Sequence, residues 1–291
     1  MMSSGHFKTS HAGTFICVKH SSIINFTMIA KNYPHGYLIM NLNRDQQPES
    51  LAIMKWIKSY PFVLSANLHE GSLVACYPFD NNPQQEHGLN SPCPDDIVFK
   101  KLARSYSFAH PTMHLGKPCN SAKRGFPDGI SNGAEWYSVS GGMQDWNYLN
   151  SNCFEITVEM SCQKYPLTAE LPRYWLDHKN SLLTFMEQVH TGVKGFILDD
   201  KKDGISNATI SVKGINHDLI SAADGDYWRL LAPGKYDITV QADGYGPETK
   251  AVDVTEPWAA QVNFTLKSAN LPQLAPDEEL GKDEKLAYTY I

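Results

Sequence analysis

The chain has 291 residues, enough for one large domain and a small one. It is 42% hydrophobic, 11% aromatic and 19% charged, the composition of a soluble globular protein. The formal net charge of -6 argues against a nucleic-acid binder, and no run of about 18 apolar residues offers a membrane span.

The opening, MMSSGHFKTSHAGTFICVKH, is polar and has no charged start leading into an apolar stretch, so it is not expected to be a signal peptide. Four histidines and no Asp or Glu precede Asp45, and no element is predicted there because the apolar positions hold no sustained period. Pro48-Glu49-Ser50 ahead of LAIMKWIKSY predicts a capped helix with Leu51, Met54 and Ile57 on one face. The apolar run Phe62 to Leu68 predicts a buried strand with function at its C-terminal end. A helix is expected from about Asp95 to Ala109, carrying Val98, Leu102 and Tyr106, and then a Gly-rich loop from Gly125 to Gly142. Cys153 to Glu159 reads as a strand and Leu171 to Val189 as a long amphipathic helix. Alternating strands and helices indicate an α/β domain ending near His190.

After Gly192 the pattern changes. VKGFILD, ATISVKGI, DYWRLL, KYDITVQA, TKAVDVT and QVNFTLK are short alternating runs between Gly, Asn, Asp and Pro. About seven strands in so short a stretch is the signature of an all-β sandwich. The last twenty or so residues are polar and Pro-rich, a linker or tail.

Six cysteines, at 17, 76, 93, 119, 153 and 162, are too sparse for a disulfide scaffold and form no paired CxxC knuckles. One or two bridges are compatible with secretion, and Asn-x-Ser/Thr tripeptides at Asn25, Asn207 and Asn263 fit that compartment.

Several polar residues sit where chemistry can reach them. His69 ends an apolar strand, where it can meet a metal or a substrate or be satisfied at the sheet edge. Asn43-Arg44 is either a surface pair or a carboxylate clamp, because guanidinium binds carboxylate through two parallel hydrogen bonds. Glu159 lies in an apolar strand, which is costly unless the carboxylate is paired, metal-linked or functional. Asp80, Tyr137 and Gln144 gain meaning only with a scaffold to place them.

Taken in order, HEGSLVACYPFD, NGAEWYSVSGGMQDWNYLNSNCFEITVEMSC and KYPLTAELPRYW strongly resemble the N/E subfamily of zinc metallocarboxypeptidases, and the likeness runs from about Asn41 to Lys267. DGDYWRLLAPGKYDITVQADGY resembles the transthyretin-like domain that follows the catalytic domain in that subfamily. The resemblance implies a mixed-sheet α/β carboxypeptidase domain, N-terminally incomplete, over 41–190 and a transthyretin-like β-sandwich over 191–268. A non-family segment (1–40) and a tail (269–291) flank them.

It also implies roles. His69 matches the family's third zinc ligand, and Glu159 matches the general base that takes a proton from water. Asn43 and Arg44 match the pair that holds the substrate's terminal carboxylate. Asp80 matches the acid that recognises a C-terminal Lys or Arg, Tyr137 the mobile tyrosine that closes over substrate, and Gln144 a lining residue of the specificity pocket. Cys119 and Cys162 fall where family members form a disulfide. The implied cofactor is Zn2+, and the implied partners are peptides or proteins ending in Lys or Arg, in the secretory pathway or outside the cell.

The sequence departs from that pattern. The family takes two zinc ligands from an upstream His-x-x-Glu, whereas His6, His11, His20 and His35 are followed three residues later by Thr9, Thr14, Ile23 and Leu38. Glu70 stands for the family's glycine and Asn41 for its aspartate. The retained strands are therefore expected to have unpaired edges, and truncation is the simplest account of the missing leader. Three readings follow: an enzyme removing basic C-terminal residues, a pseudoenzyme that captures peptide C-termini, or a partial product without independent function.

Overall fold

In the computed structural model of the chain, residues 11–19 and 22–30 are described as backbone, and residues 47–269 in full except 83, 85 and 121–123. The first domain is built on a six-stranded mixed sheet. Its strands are β1 (His11–Lys19), β2 (Ser22–Ala30), β3 (Leu64–His69), β4 (Ser72–Tyr77), β5 (Ile130–Asn132) and β6 (Phe154–Ser161), in the order β2-β1-β3-β6-β4-β5.

The first two strands correct the expectation of an unpaired edge. They form an antiparallel hairpin, and β1 runs antiparallel along β3 from Thr14 opposite Leu68 to Val18 opposite Leu64. The physical reason is local: TFICV and INFTMIA are rich in β-branched and aromatic residues, and no proline interrupts either. The edge of β3 is thus covered by the segment for which no element was predicted.

The sheet's two faces differ because side chains alternate along a strand. On β6, Phe154, Ile156 and Val158 turn to one face and join Phe99, Leu102, Tyr106 and Phe185 in the main core. Those four come from α2 (Asp96–Ala109) and α5 (Leu171–Glu187). Burying each large side chain stabilises by about 1.5–3 kcal/mol. On the other face lie Glu155, Thr157 and Glu159, register partners of Ser65, Asn67 and His69 on β3. Helices α1 (Pro48–Ser59) and α4 (Met143–Asn150) contribute Met54, Ile57 and Trp146 to a second, smaller core.

The expected Gly-rich loop is more structured than its composition indicates. It contains β5 and a short helix, α3 (Gly133–Trp136), because Asn132 caps that helix by accepting from the Glu135 N–H at 3.2 Å. The long amphipathic helix ends at Glu187 and continues as a 3-10 turn to His190.

From Val193 the chain is a β-sandwich. One sheet holds β7 (Val193–Leu198), β10 (Asp226–Arg229), β13 (Ala260–Gln261) and β14 (Phe264–Thr265). The other is ordered β12-β11-β8-β9, over Glu248–Val254, Gly234–Gln241, Thr209–Val212 and Ile215–Ile220. Ile197, Ile210, Ile238, Val240 and Phe264 fill the space between them. Trp228, Leu219 and Leu230 instead pack against the core of the first domain, so the two domains share buried apolar surface.

Candidate functional site

The parallel pairing of β3 and β6 sets His69 directly beside Glu159 at the strands' ends. Their side chains approach to 3.9 Å, Nδ1 to Oε1. Glu159 is 5% exposed, and its Oε2 is buried without a hydrogen-bond partner among the described residues. Burial pushes the Glu159 carboxyl up to about 8; Lys164 draws it down and Glu70 raises it further. Glu70 is itself raised by burial and opposed by Lys164.

Strand β4 pairs antiparallel with β6, Val74 opposite Glu159 and Cys76 opposite Thr157. It leads through Pro78 and Phe79 to Asp80. The Asp80 N–H donates to both carboxylate oxygens of Asp145, at 2.9 and 3.1 Å, and its Oδ1 accepts from Gln144 Nε2 at 2.7 Å. Gly133 is required here by close approach, since a Cβ on it would sit 1.9 Å from Asp80 Oδ1. Gln144 and Asp145 occupy the first turn of α4, where the helix's positive end favours acidic groups.

Three carboxyl groups converge around this recess. Burial raises Asp80 well above the usual carboxylate range, and Asp145 and Glu155 add to it. Asp145 is raised by burial against the pull of the Asp80 and Asn81 N–H groups. Glu155 is fully buried on β6 and accepts from Ser65 Oγ at 2.7 Å and Asn147 Nδ2 at 2.5 Å. Burial pushes it up to about 8 against those two donors. Among the described residues no Lys or Arg pairs with Asp80, Asp145 or Glu155. Buried carboxyls without a cation favour the protonated form and will bind a cation that replaces the proton.

Tyr137 follows α3 and is 43% exposed. Its ring meets that of Trp136 edge-on at 4.8 Å, and its hydroxyl is raised by burial and then by Glu159, Cys76 and Asp80. The tyrosine therefore lies within electrostatic reach of both the His69–Glu159 pair and the Asp80 recess. Cys119 and Cys162 are joined by a disulfide, Cα atoms 5.4 Å apart, which ties the chain just past β6 to the loop before residue 120. Asn43 and Arg44 lie outside the described residues.

Sequence reading missed Asn132, Asp145 and Glu155. Fully buried Asn132 donates to Pro78 O at 3.0 Å and Ser91 O at 3.1 Å, fastening the turn that presents Asp80. The motif NGAEW carried a usable signal, an Asn directly before a short helical pattern. Nothing comparable marked Asp145 or Glu155, whose importance comes from burial.

A catalytic zinc site uses three protein ligands and one open position. Among the described residues no group of three His, Cys, Asp or Glu side chains is placed to hold a metal. Before His69 the 291 residues contain no His-x-x-Glu to add two ligands. The described residues supply one imidazole next to one carboxyl, so they do not fit a three-ligand zinc site, and no step is derived through the metal.

Residues 25–181 match the zinc carboxypeptidase family, and residues 192–267 match the carboxypeptidase regulatory-like domain. The first match begins inside the segment of forty residues set apart in the sequence. Carboxypeptidase D of Homo sapiens is 49% identical over 269 residues, covering 91% of this chain and 19% of that protein. The carboxypeptidase N catalytic chain of Homo sapiens is 48% identical over 241 residues, covering 81% of this chain and 52% of that one. Carboxypeptidase D of Drosophila melanogaster is 46% identical over 252 residues, 81% of this chain and 18% of that protein. The chain thus spans less than a fifth of the carboxypeptidase D relatives and about half of the carboxypeptidase N chain.

Proposed function

Because the chain belongs to the zinc carboxypeptidase family, we propose that it recognises peptides and proteins ending in Lys or Arg, and that these 291 residues supply the recognition half of that chemistry without a self-contained zinc site. The observation that carries this reading is the cation-free recess at Asp80, held by Gln144 and backed by Asp145 and Glu155. A guanidinium or ammonium entering there replaces a proton and satisfies a buried carboxylate, which couples affinity to side-chain charge. Tyr137 closes over the bound residue from the His69–Glu159 side. Asn43 and Arg44 take the terminal carboxylate, an assignment resting on their likeness to the family pair.

The disulfide between Cys119 and Cys162 supports an extracellular or secretory location, since such bonds persist in oxidising compartments. The test of recognition is calorimetric titration with a short peptide ending in Arg, the same peptide ending in Ala, and its C-terminal amide. Only the free acid ending in Arg binds under this reading; equal affinity for all three contradicts it.

A second reading, hydrolysis, is favoured by one observation, the adjacency of His69 and Glu159. It requires two further zinc ligands. Zinc bound one-to-one by the purified chain, together with release of the C-terminal Arg, establishes hydrolysis and overturns the claim that the chain lacks a self-contained zinc site.

A further inference from the structure

We propose that His87 is a positioning residue of the recognition site, which sets Tyr137 beside the Asp80 recess without touching the bound peptide itself. This rests on the reading above that Tyr137 closes over the terminal basic residue. Two stretches of chain meet at the recess, one at 79–82 and 86–91 and the other at 132–139. They are laced together: Ala134 N–H donates to Phe79 O at 3.0 Å, Gly88 N–H to Ala134 O at 3.2 Å, and Ser91 N–H to Asn132 Oδ1 at 3.0 Å.

At the tyrosine, three consecutive N–H groups are engaged. Tyr137 donates to Gly133 O at 3.0 Å, Ser138 to His87 Nδ1 at 2.9 Å, and Val139 to Asp80 O at 2.8 Å. Ser138 Oγ adds a bond to Asn81 Oδ1 at 2.7 Å. The backbone on both sides of Tyr137 is therefore fixed relative to Asp80, and the half-exposed side chain closes by turning about its own Cα–Cβ bond.

Of those three acceptors only His87 Nδ1 is a side-chain atom. The two carbonyls are present whatever the sequence, whereas this acceptor exists because position 87 carries an imidazole. Without it the Ser138 N–H turns to water and the segment that aims the tyrosine loosens. A clamp spread over more orientations loses more conformational entropy on closing, so the bound peptide leaves sooner. Its arrival is unchanged, because the acidic recess that attracts it is untouched.

The test uses the full chain as wild type, His87→Leu and His87→Asn. Leu approximates the bulk and has no acceptor, whereas Asn offers Oδ1 one bond beyond Cγ, where the imidazole has Nδ1. Hydrogen exchange of the free proteins, resolved at Ser138, reads the latch without a ligand. Exchange should be about 5-fold faster in His87→Leu and near the wild-type rate in His87→Asn. Equal exchange at Ser138 in wild type and His87→Leu overturns the proposal, whatever the peptide does.

Binding kinetics of a short peptide ending in Arg read the consequence. The off-rate should rise about 3- to 10-fold in His87→Leu with the on-rate unchanged, and return in His87→Asn. In a Tyr137→Ala background His87→Leu should add nothing, since its effect passes through the tyrosine. An off-rate unchanged by His87→Leu, or raised equally with and without Tyr137, overturns the positioning role. No binding by the wild type, with Ser138 exchange still dependent on His87, would overturn the recognition reading and leave the latch standing.

Discussion

Arg229, at the end of β10 in the sandwich, donates through Nη2 to both oxygens of Asp95 at the start of α2, at 2.9 and 3.2 Å, and both side chains are wholly removed from solvent. Tyr148 Oη donates to Asp95 Oδ2 at 2.9 Å and His217 stacks on the Tyr148 ring at 3.9 Å. One ion pair thus fastens the β-sandwich to α2 of the first domain. Removing one member strands a buried charge, so Arg229→Ala or Asp95→Ala should cost about 3–5 kcal/mol. Urea unfolding measures this, with both domains of the wild type expected to unfold in one transition. A cost below about 1 kcal/mol would show that the pair does not couple the domains.

The disulfide closes a loop of 43 residues. Restricting the unfolded chain over that length is worth about 2–4 kcal/mol. Cys119→Ser or reduction should lower the unfolding free energy by that amount. Measured in the presence and absence of reductant, the Cys119→Ser protein should show no further change.

Stability should be greatest at mildly acidic pH. The folded pKa values of Glu155 and Glu159, about 8, lie above their ordinary 4.5, so the folded state binds the extra protons and stability from these groups falls as pH rises toward 8. His110 behaves oppositely. Its burial beside His178 lowers it from 6.5 to about 4, so stability is lost as pH falls between those values. Thermal unfolding from pH 4 to 9 should therefore show stability falling from about pH 4.5 to about pH 8, partly offset below pH 6.5 by His110, and levelling above that; Glu155→Gln makes the fall shallower. A maximum at pH 8 or higher would contradict the burial of these carboxyls.

Binding of a basic C-terminus should release protons. Asp80 and its neighbours hold protons without a cation, and an arriving Arg displaces them. Affinity should rise from pH 6 to pH 8, and calorimetry in two buffers of different ionisation enthalpy should give different heats. Identical heats would mean that the recess is already ionised.

Much of the fold was legible because its periods are regular. Helices α1, α2 and α5 each carry an apolar stripe, β3 lies in the largely apolar stretch from Phe62 to Leu68, and β6 alternates Phe154, Ile156 and Val158 with polar residues. Helix α4 was not legible, since its buried positions include the polar Gln144, Asp145 and Asn147, which break the apolar stripe. Strand β4 is likewise buried along nearly its whole length and shows no alternation. The hairpin β1–β2 was not legible because its apolar positions hold no sustained period, although its β-branched and aromatic content is a local signal. In the site, His69, Asp80, Tyr137, Gln144 and Glu159 were named from the sequence, and strand pairing and the turn after β4 bring them together. Asp145 and Glu155 are ordinary acidic residues in sequence, and only their burial beside Asp80 gives them electrostatic weight.

The central claim is that Asp80 is the counter-charge for a basic C-terminal residue. Its most direct test is the affinity of the intact chain for an Arg-terminated peptide, measured in wild type and Asp80→Asn. The substitution keeps the shape and removes the charge, and the account predicts a loss of about 2 kcal/mol or more, roughly 30-fold. The Ala-terminated peptide should bind neither protein. Equal affinity of wild type and Asp80→Asn for the Arg peptide would contradict the account.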